Sequence, residues 1–195
     1  MASPLLVREA SEEYYTYADY LTWDEGLRVE LLDGEPVMMP SPSRRHQRVG
    51  GELFRQIADF LLDKTCEVYQ APFDVRLFAK KGDRPRDVYT VVQPDILVVC
   101  DPEKLDDAGC KGAPDFIAEL LSPSTRAYDR KRKFQMYRQA GVREYWIVDP
   151  VDKTLETFVL VEGKYEPRSQ AVGGGKIPLA VLEGCVIDLD RVFAE

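Results

Sequence analysis

The chain has 195 residues, 45% hydrophobic and 31% charged, with a formal net charge of −8. That length suits a single domain over residues 1–195 with a substantial core, and the acidic balance argues against a protein that coats nucleic acid non-specifically. No apolar run approaches the ~20 residues of a membrane helix, and the N-terminus soon turns acidic, so neither a span nor a secretory signal is expected. The cytoplasm is the expected location. Cys66, Cys100, Cys110 and Cys185 form no CxxC pair. Buried free thiols are expected of Cys66, Cys100 and Cys185, rather than a zinc site or a disulfide framework.

In chain order, Thr16 can cap a short helix over 17–23. LRVELLDGEPVMM reads as two strands about Asp33-Gly34, with Glu30 inside the first and Pro36 marking the second as an edge. Ser41-Pro42-Ser43 opens a long helix to about Lys64, in which Val49, Leu53, Ile57, Phe60 and Leu61 form a buried stripe. Arg44, Arg45, His46 and Arg48 crowd its first turns, where basic residues oppose the helix dipole, so something other than helix stability placed them. CEVYQ and FDVRLF are further strands.

The stretch from Gln93 to Pro150 carries the chemistry. It reads as a strand (QPDILVVC), a loop, a second strand (GAPDFIAELL), a basic helix (YDRKRKFQMYRQAG) and a third strand (VREYWIVDP). A hairpin about Glu162-Gly163, a triple-glycine turn and a mixed strand and short-helix ending follow. The pattern is α/β or α+β, with a central mixed β-sheet flanked by helices.

Glu119 sits among apolar neighbours, where a carboxylate needs a cation, a hydrogen-bond network or a raised pKa. Asp95 stands at the mouth of another apolar strand. If the two strands are neighbours, both acids reach one Mg²⁺, a hard cation that takes oxygen ligands. The competing interpretation for either acid alone is an ion pair or a capping contact. Asp129, Lys133 and Tyr137 are spaced by four and share one helix face, so Lys133 can point back at the carboxylates. Lys131 and Arg132 face elsewhere and are the natural candidates for a solvated surface. Seven basic residues against two acidic ones between Ser122 and Tyr145 make that segment a candidate polyanion surface. Ser122 to Thr125 most simply end the strand and cap the helix, Tyr145-Trp146 read as core, and Asp74 reads as an ordinary strand acid.

VELLDGE at 29–35, SPSRRHQR at 41–48, QPDILVV at 93–99, GAPDFIAELLSPST at 112–125, DRKRKFQMY at 129–137 and GVREYWIVDP at 141–150 together resemble the Uma-type restriction endonuclease family. That family lies within the PD-(D/E)XK nuclease superfamily. The resemblance implies a restriction-endonuclease-like core with additional N- and C-terminal strands, a Mg²⁺ or Mn²⁺ site, and hydrolysis of DNA phosphodiester bonds. It maps Asp95 and Glu119 onto the metal-binding acids and Glu30 onto a further acid that adds to the site. It also exposes a departure: the superfamily usually carries Lys two residues after the second acid, where this chain has Leu121. The resemblance implies that the lysine has moved to the following helix, with Lys133 the first candidate and Lys131 the second. His46 belongs to the shared SPSxxH element, either contacting phosphate and assisting proton transfer or lying on a helix surface. Arg44, His46 and Lys131 are the candidate substrate contacts. DNA is the expected partner, a homodimer the expected assembly. A catalytically weak nuclease-fold binding module, or a phosphohydrolase of RNA or small nucleotides, stands as the alternative.

Overall fold

The computed structural model describes residues 14–24, 26–122 and 129–194. Its centre is a six-stranded sheet built on the apolar runs ILVV, FIAEL and EYWIVD, which form β6 (Ile96–Val99), β9 (Phe116–Leu120) and β10 (Glu144–Asp149). All three are buried along their whole length, as strands covered on both faces must be. The order across the sheet is β12-β11-β10-β9-β6-β3, with β3 at Glu67–Gln70, β11 at Thr154–Val161 and β12 at Lys164–Val172. β9 and β10 run parallel and the other neighbours antiparallel, so the sheet is mixed, as expected.

Alternation along the strands assigns the two faces. Ile96, Val98, Phe116, Ala118, Leu120, Trp146 and Val148 pack beneath α2 (Arg44–Leu61), whose Val49, Leu53, Ile57 and Leu61 form the expected stripe. The C-terminal hairpin β13 (Lys176–Pro178) and β14 (Val186–Asp188), with α4 (Leu189–Val192), closes the same side. α2 ends at Leu61 rather than near Lys64. Leu97, Val99, Ile117, Leu121, Tyr145 and Ile147 face the other way. There they meet α3 (Phe134–Ala140), through Met136 and Tyr137, and a second six-stranded sheet.

That second sheet runs β2-β1-β5-β4-β8-β7, from β1 (Val29–Leu32), β2 (Glu35–Met38), β4 (Val75–Arg76), β5 (Val91–Val92), β7 (Leu105–Asp106) and β8 (Gly109–Lys111). Asp33 and Gly34 take positive φ at the β1–β2 turn, which is what an Asp-Gly hairpin requires. Pro36 lies on the edge strand, where its missing N–H costs no ladder bond. The outer face is covered by α1 (Tyr17–Tyr20), through Tyr17 against Leu31, Val88 and Val91.

One expectation is corrected. Cys66 and Cys100 form a disulfide, while Cys110 and Cys185 are free and buried. The antiparallel register that pairs Glu67 with Val99 carries the chain on to set Cys66 beside Cys100. Strand pairing across 34 residues is not visible as sequence spacing.

Candidate active site

Strand register brings the two carboxylates together. Ile96 pairs with Ala118 in the antiparallel β6–β9 ladder, so Asp95 and Glu119 follow at the same end of adjacent strands. The Asp95 carboxylate accepts the backbone N–H of Leu120 at 2.8 Å, which ties it to β9. Both acids line one cleft of about 210 Å³, together with Arg28, Arg45, His46 and Gln93. Glu30, in β1, lies behind them and is fully buried.

Lys133 closes the gap between the sheets. It ends a π-helical turn (Asp129–Lys133) that leads into α3, and its side chain is fully buried. Its Nζ donates to Glu30 Oε1 and to Glu119 Oε1, each at 2.9 Å. Tyr137, one turn further, donates its hydroxyl to the same Glu119 oxygen. Burial, then the charges of Glu119 and Glu30, push the Tyr137 phenol well above its usual range, so it remains a donor. Spacing by four puts Lys133 and Tyr137 on one face, as expected; the Asp129 side chain falls outside the described residues, as do Pro123 to Thr125 of the expected cap. Leu121 shares the Glu119 face of β9 and is buried against Tyr137 and Ile147. An apolar side chain thus fills the position two residues after the acid, and the ammonium arrives from the helix instead.

His46 is held by the protein rather than presented to solvent. Its Nε2 lies 3.1 Å from the Leu120 carbonyl and 3.3 Å from Asp95 Oδ2, so a proton on that nitrogen serves both acceptors. Burial disfavours the imidazolium, but the hydrogen bond and charge of Asp95 outweigh it and the net pKa is raised. The ring is therefore a brace between the start of α2 and the two strand ends.

The other expected contacts disperse. Lys131 is exposed and lies with Asp33, Phe78 and Gln135 on a different surface, so the second lysine candidate does not reach the acids. The π turn sends consecutive side chains in different directions, which a run of four basic residues does not reveal. Arg132 pairs with Glu35, Arg130 with Glu156 and Arg143 with Asp115, which breaks the basic segment into separate ion pairs. Arg44 is exposed beside the cleft, near Arg48, Val49 and Pro150, while Arg45 lines the cleft itself. Asp74 stays out of the acidic group and accepts from Tyr20 and from the Gln93 amide.

Three contributors escaped the sequence. Gln93 donates its backbone N–H to Glu30 Oε1 at 2.9 Å, and its side chain is anchored on Asp74 and Tyr20. Arg28 enters from the lead-in to β1, and nothing in its spacing marks it. Tyr137 was legible as a helix-face neighbour of Lys133, though not as a donor to Glu119.

The residues present fit a hard divalent cation. Asp95 and Glu119 open on the cleft, and the buried Glu30 Oε2 has no hydrogen-bond partner among the described residues. A buried carboxylate oxygen without a donor is costly and calls for a cation. Among the described residues no three His, Cys, Asp or Glu side chains form a ready cage, and Mg²⁺ does not need one: one or two carboxylates suffice, with waters and substrate phosphate completing its shell.

A family model described as "Uma2: Putative restriction endonuclease" matches residues 12–190. The chain belongs to the Uma2 family. Two uncharacterized proteins of Synechocystis sp. (strain ATCC 27184 / PCC 6803 / Kazusa) are similar to it, each at 27% identity. The protein slr1290 aligns over 72% of this chain and 71% of its own length, and sll1609 over 76% and 82%. A crystal structure from Anabaena variabilis ATCC 29413, described as a putative nuclease belonging to DUF820, matches with a TM-score of 0.70. It is 16% identical and covers 92% of this chain and 97% of that one. At that identity the likeness speaks for the fold, and the Uma2 chain has a nuclease fold with a restriction-endonuclease-like core. No helix among the described residues is long and apolar enough to cross a membrane.

Proposed function

We propose that this Uma2 protein is a metal-dependent endonuclease that hydrolyses DNA phosphodiester bonds in the cleft at Asp95 and Glu119. The observation that carries this is the meeting of a buried ammonium with two acids from different sheets, Lys133 Nζ standing 2.9 Å from both Glu30 and Glu119. Asp95 and Glu119 would hold Mg²⁺ or Mn²⁺, with Glu30 behind them. Bound there, the cation polarises a phosphodiester and lowers the pKa of a water. Lys133 and Tyr137 hold the Glu119 carboxylate in one orientation, and the buried ammonium would orient the attacking water or offset charge that develops on the phosphate. Arg28 and Arg45 at the cleft supply positive charge for the substrate backbone. His46 keeps Asp95 aligned.

The test is cutting of supercoiled plasmid with Mg²⁺ or Mn²⁺. Asp95→Ala is expected to abolish the activity, and Lys133→Ala to lower it by about 10²-fold or more. Full cutting by Asp95→Ala would overturn the assignment. The net charge of −8 and Leu121 in place of the usual lysine favour a second reading, a nuclease fold kept for binding. Calorimetric titration decides between them: Mg²⁺ or Mn²⁺ heat that disappears in Asp95→Ala supports the enzyme. A homodimer is the expected assembly, since cutting both strands of a duplex takes two sites.

A further inference from the structure

A second cavity of about 320 Å³ adjoins the cleft. The two share Arg28, Pro42, His46, Gln93 and Asp95, so the His46–Asp95 pair stands on the wall between two lobes. Their chemistry differs. The first lobe holds Arg45, Ser41, Ser43 and Ser122, groups that suit phosphate oxygens. Beyond the shared wall, the second is made by Gln47, Gly50, Gly51, Gln70, Ala71 and Pro72, with Leu27 at its rim and no charged side chain of its own.

Helix α2 carries an unexplained cost at this place. Glycine weakens a helix interior, and Gly50-Gly51 sit in the middle of α2. Gly50 has a packing reason, because a Cβ there would come within 3.3 Å of Leu120 Cδ2. Gly51 has none: a Cβ would meet nothing within 4 Å. Gly51 lines the second lobe, at a position that brings no side chain to it. Gln47 and Gln70, both exposed, border the same space and bring amide donors and acceptors to it.

We infer that the second lobe is a nucleobase subsite, taking the base that neighbours the phosphate held at Asp95 and Glu119. Beyond the shared Arg28, His46 and Asp95, a lining of two amides with Leu27, Ala71 and Pro72 suits a planar heterocycle with mixed donors and acceptors, and glutamine pairs with base edges. Its one arginine, Arg28, is shared with the first lobe, so the second brings no cation of its own for a second phosphate. This rests on the proposed nuclease function, since it places a strand with its phosphate in one lobe and its base in the other.

The experiment is a binding titration, by fluorescence anisotropy in Ca²⁺, of a mixed-sequence single-stranded deoxyoligonucleotide and of an abasic counterpart with the same number of phosphates. The wild type is expected to bind the base-bearing strand about tenfold more tightly, the size of one good base contact. Gly51→Trp, which fills the lobe, should remove that preference while leaving abasic affinity unchanged. Gln47→Ala combined with Gln70→Ala should reduce the preference without adding bulk, which keeps the test valid if the tryptophan variant folds poorly. Equal binding of both strands by wild type that still cuts plasmid overturns the subsite alone. Discrimination retained by a protein that cuts nothing supports the subsite and overturns the activity. Binding of neither strand overturns both.

Discussion

Lys133 is where several costs are balanced. A buried ammonium and two buried carboxylates are each expensive alone, and their mutual hydrogen bonds offset much of that desolvation. Removing one partner leaves the others uncompensated. Lys133→Met, close in volume but uncharged, is therefore expected to destabilise the protein by about 3–5 kcal/mol in urea unfolding, besides its effect on cutting. A change below about 1 kcal/mol would mean that Glu30 and Glu119 do not depend on the ammonium. Lys133 was readable as a site candidate because it repeats at four residues with Tyr137. Its engagement of Glu30, 103 residues away, was not, because the contact depends on how the two sheets stack.

Among the elements, α2 is the most informative. Its stripe of Val49, Leu53, Ile57 and Leu61 follows from sequence periodicity, and Ser43 accepts the His46 N–H at its start as a cap should. The helix sets its basic first turns beside the acids because the ends of β6 and β9 lie under that terminus. This is the reason for cations at a position the helix dipole disfavours. Gly51 makes a testable point about stability. Gly51→Ala is expected to stabilise the protein by about 1 kcal/mol and raise the melting temperature, since the added methyl meets open space. Gly50→Ala should gain less, because Leu120 must yield. Equal gains would show that Leu120 moves freely, and no gain at Gly51 would show that its backbone, rather than its open face, is what matters.

Across the whole molecule, Glu144 joins the central sheet to the C-terminal segment. Its two oxygens accept Trp146 Nε1 at 2.7 Å and the Val181 N–H at 2.8 Å. Burial prevails over those bonds and raises its carboxyl above the usual 4.5. The sign follows: between 4.5 and the raised folded value the native state keeps a proton that the unfolded chain has released. Glu144 therefore contributes stability that is present below 4.5 and lost as pH rises through the folded pKa. Denaturant unfolding over that window should show Glu144→Gln losing less stability with rising pH than the wild type. A steeper fall in the variant would contradict the assignment.

Much of this molecule was legible in its residues. Apolar runs bounded by turns gave the central strands, Asp33-Gly34 and Glu162-Gly163 gave two hairpins, and a carboxylate inside FIAEL marked Glu119 as requiring a partner. These signals are local, set by side-chain period and backbone preference, and they survive whatever the chain does elsewhere. Lys131 fell away, the basic segment separated into ion pairs, Cys66 met Cys100, and Gln93, Arg28 and Tyr137 joined the site. Each of those outcomes depends on distance between elements far apart in sequence, which only the packing of two sheets about one buried lysine decides.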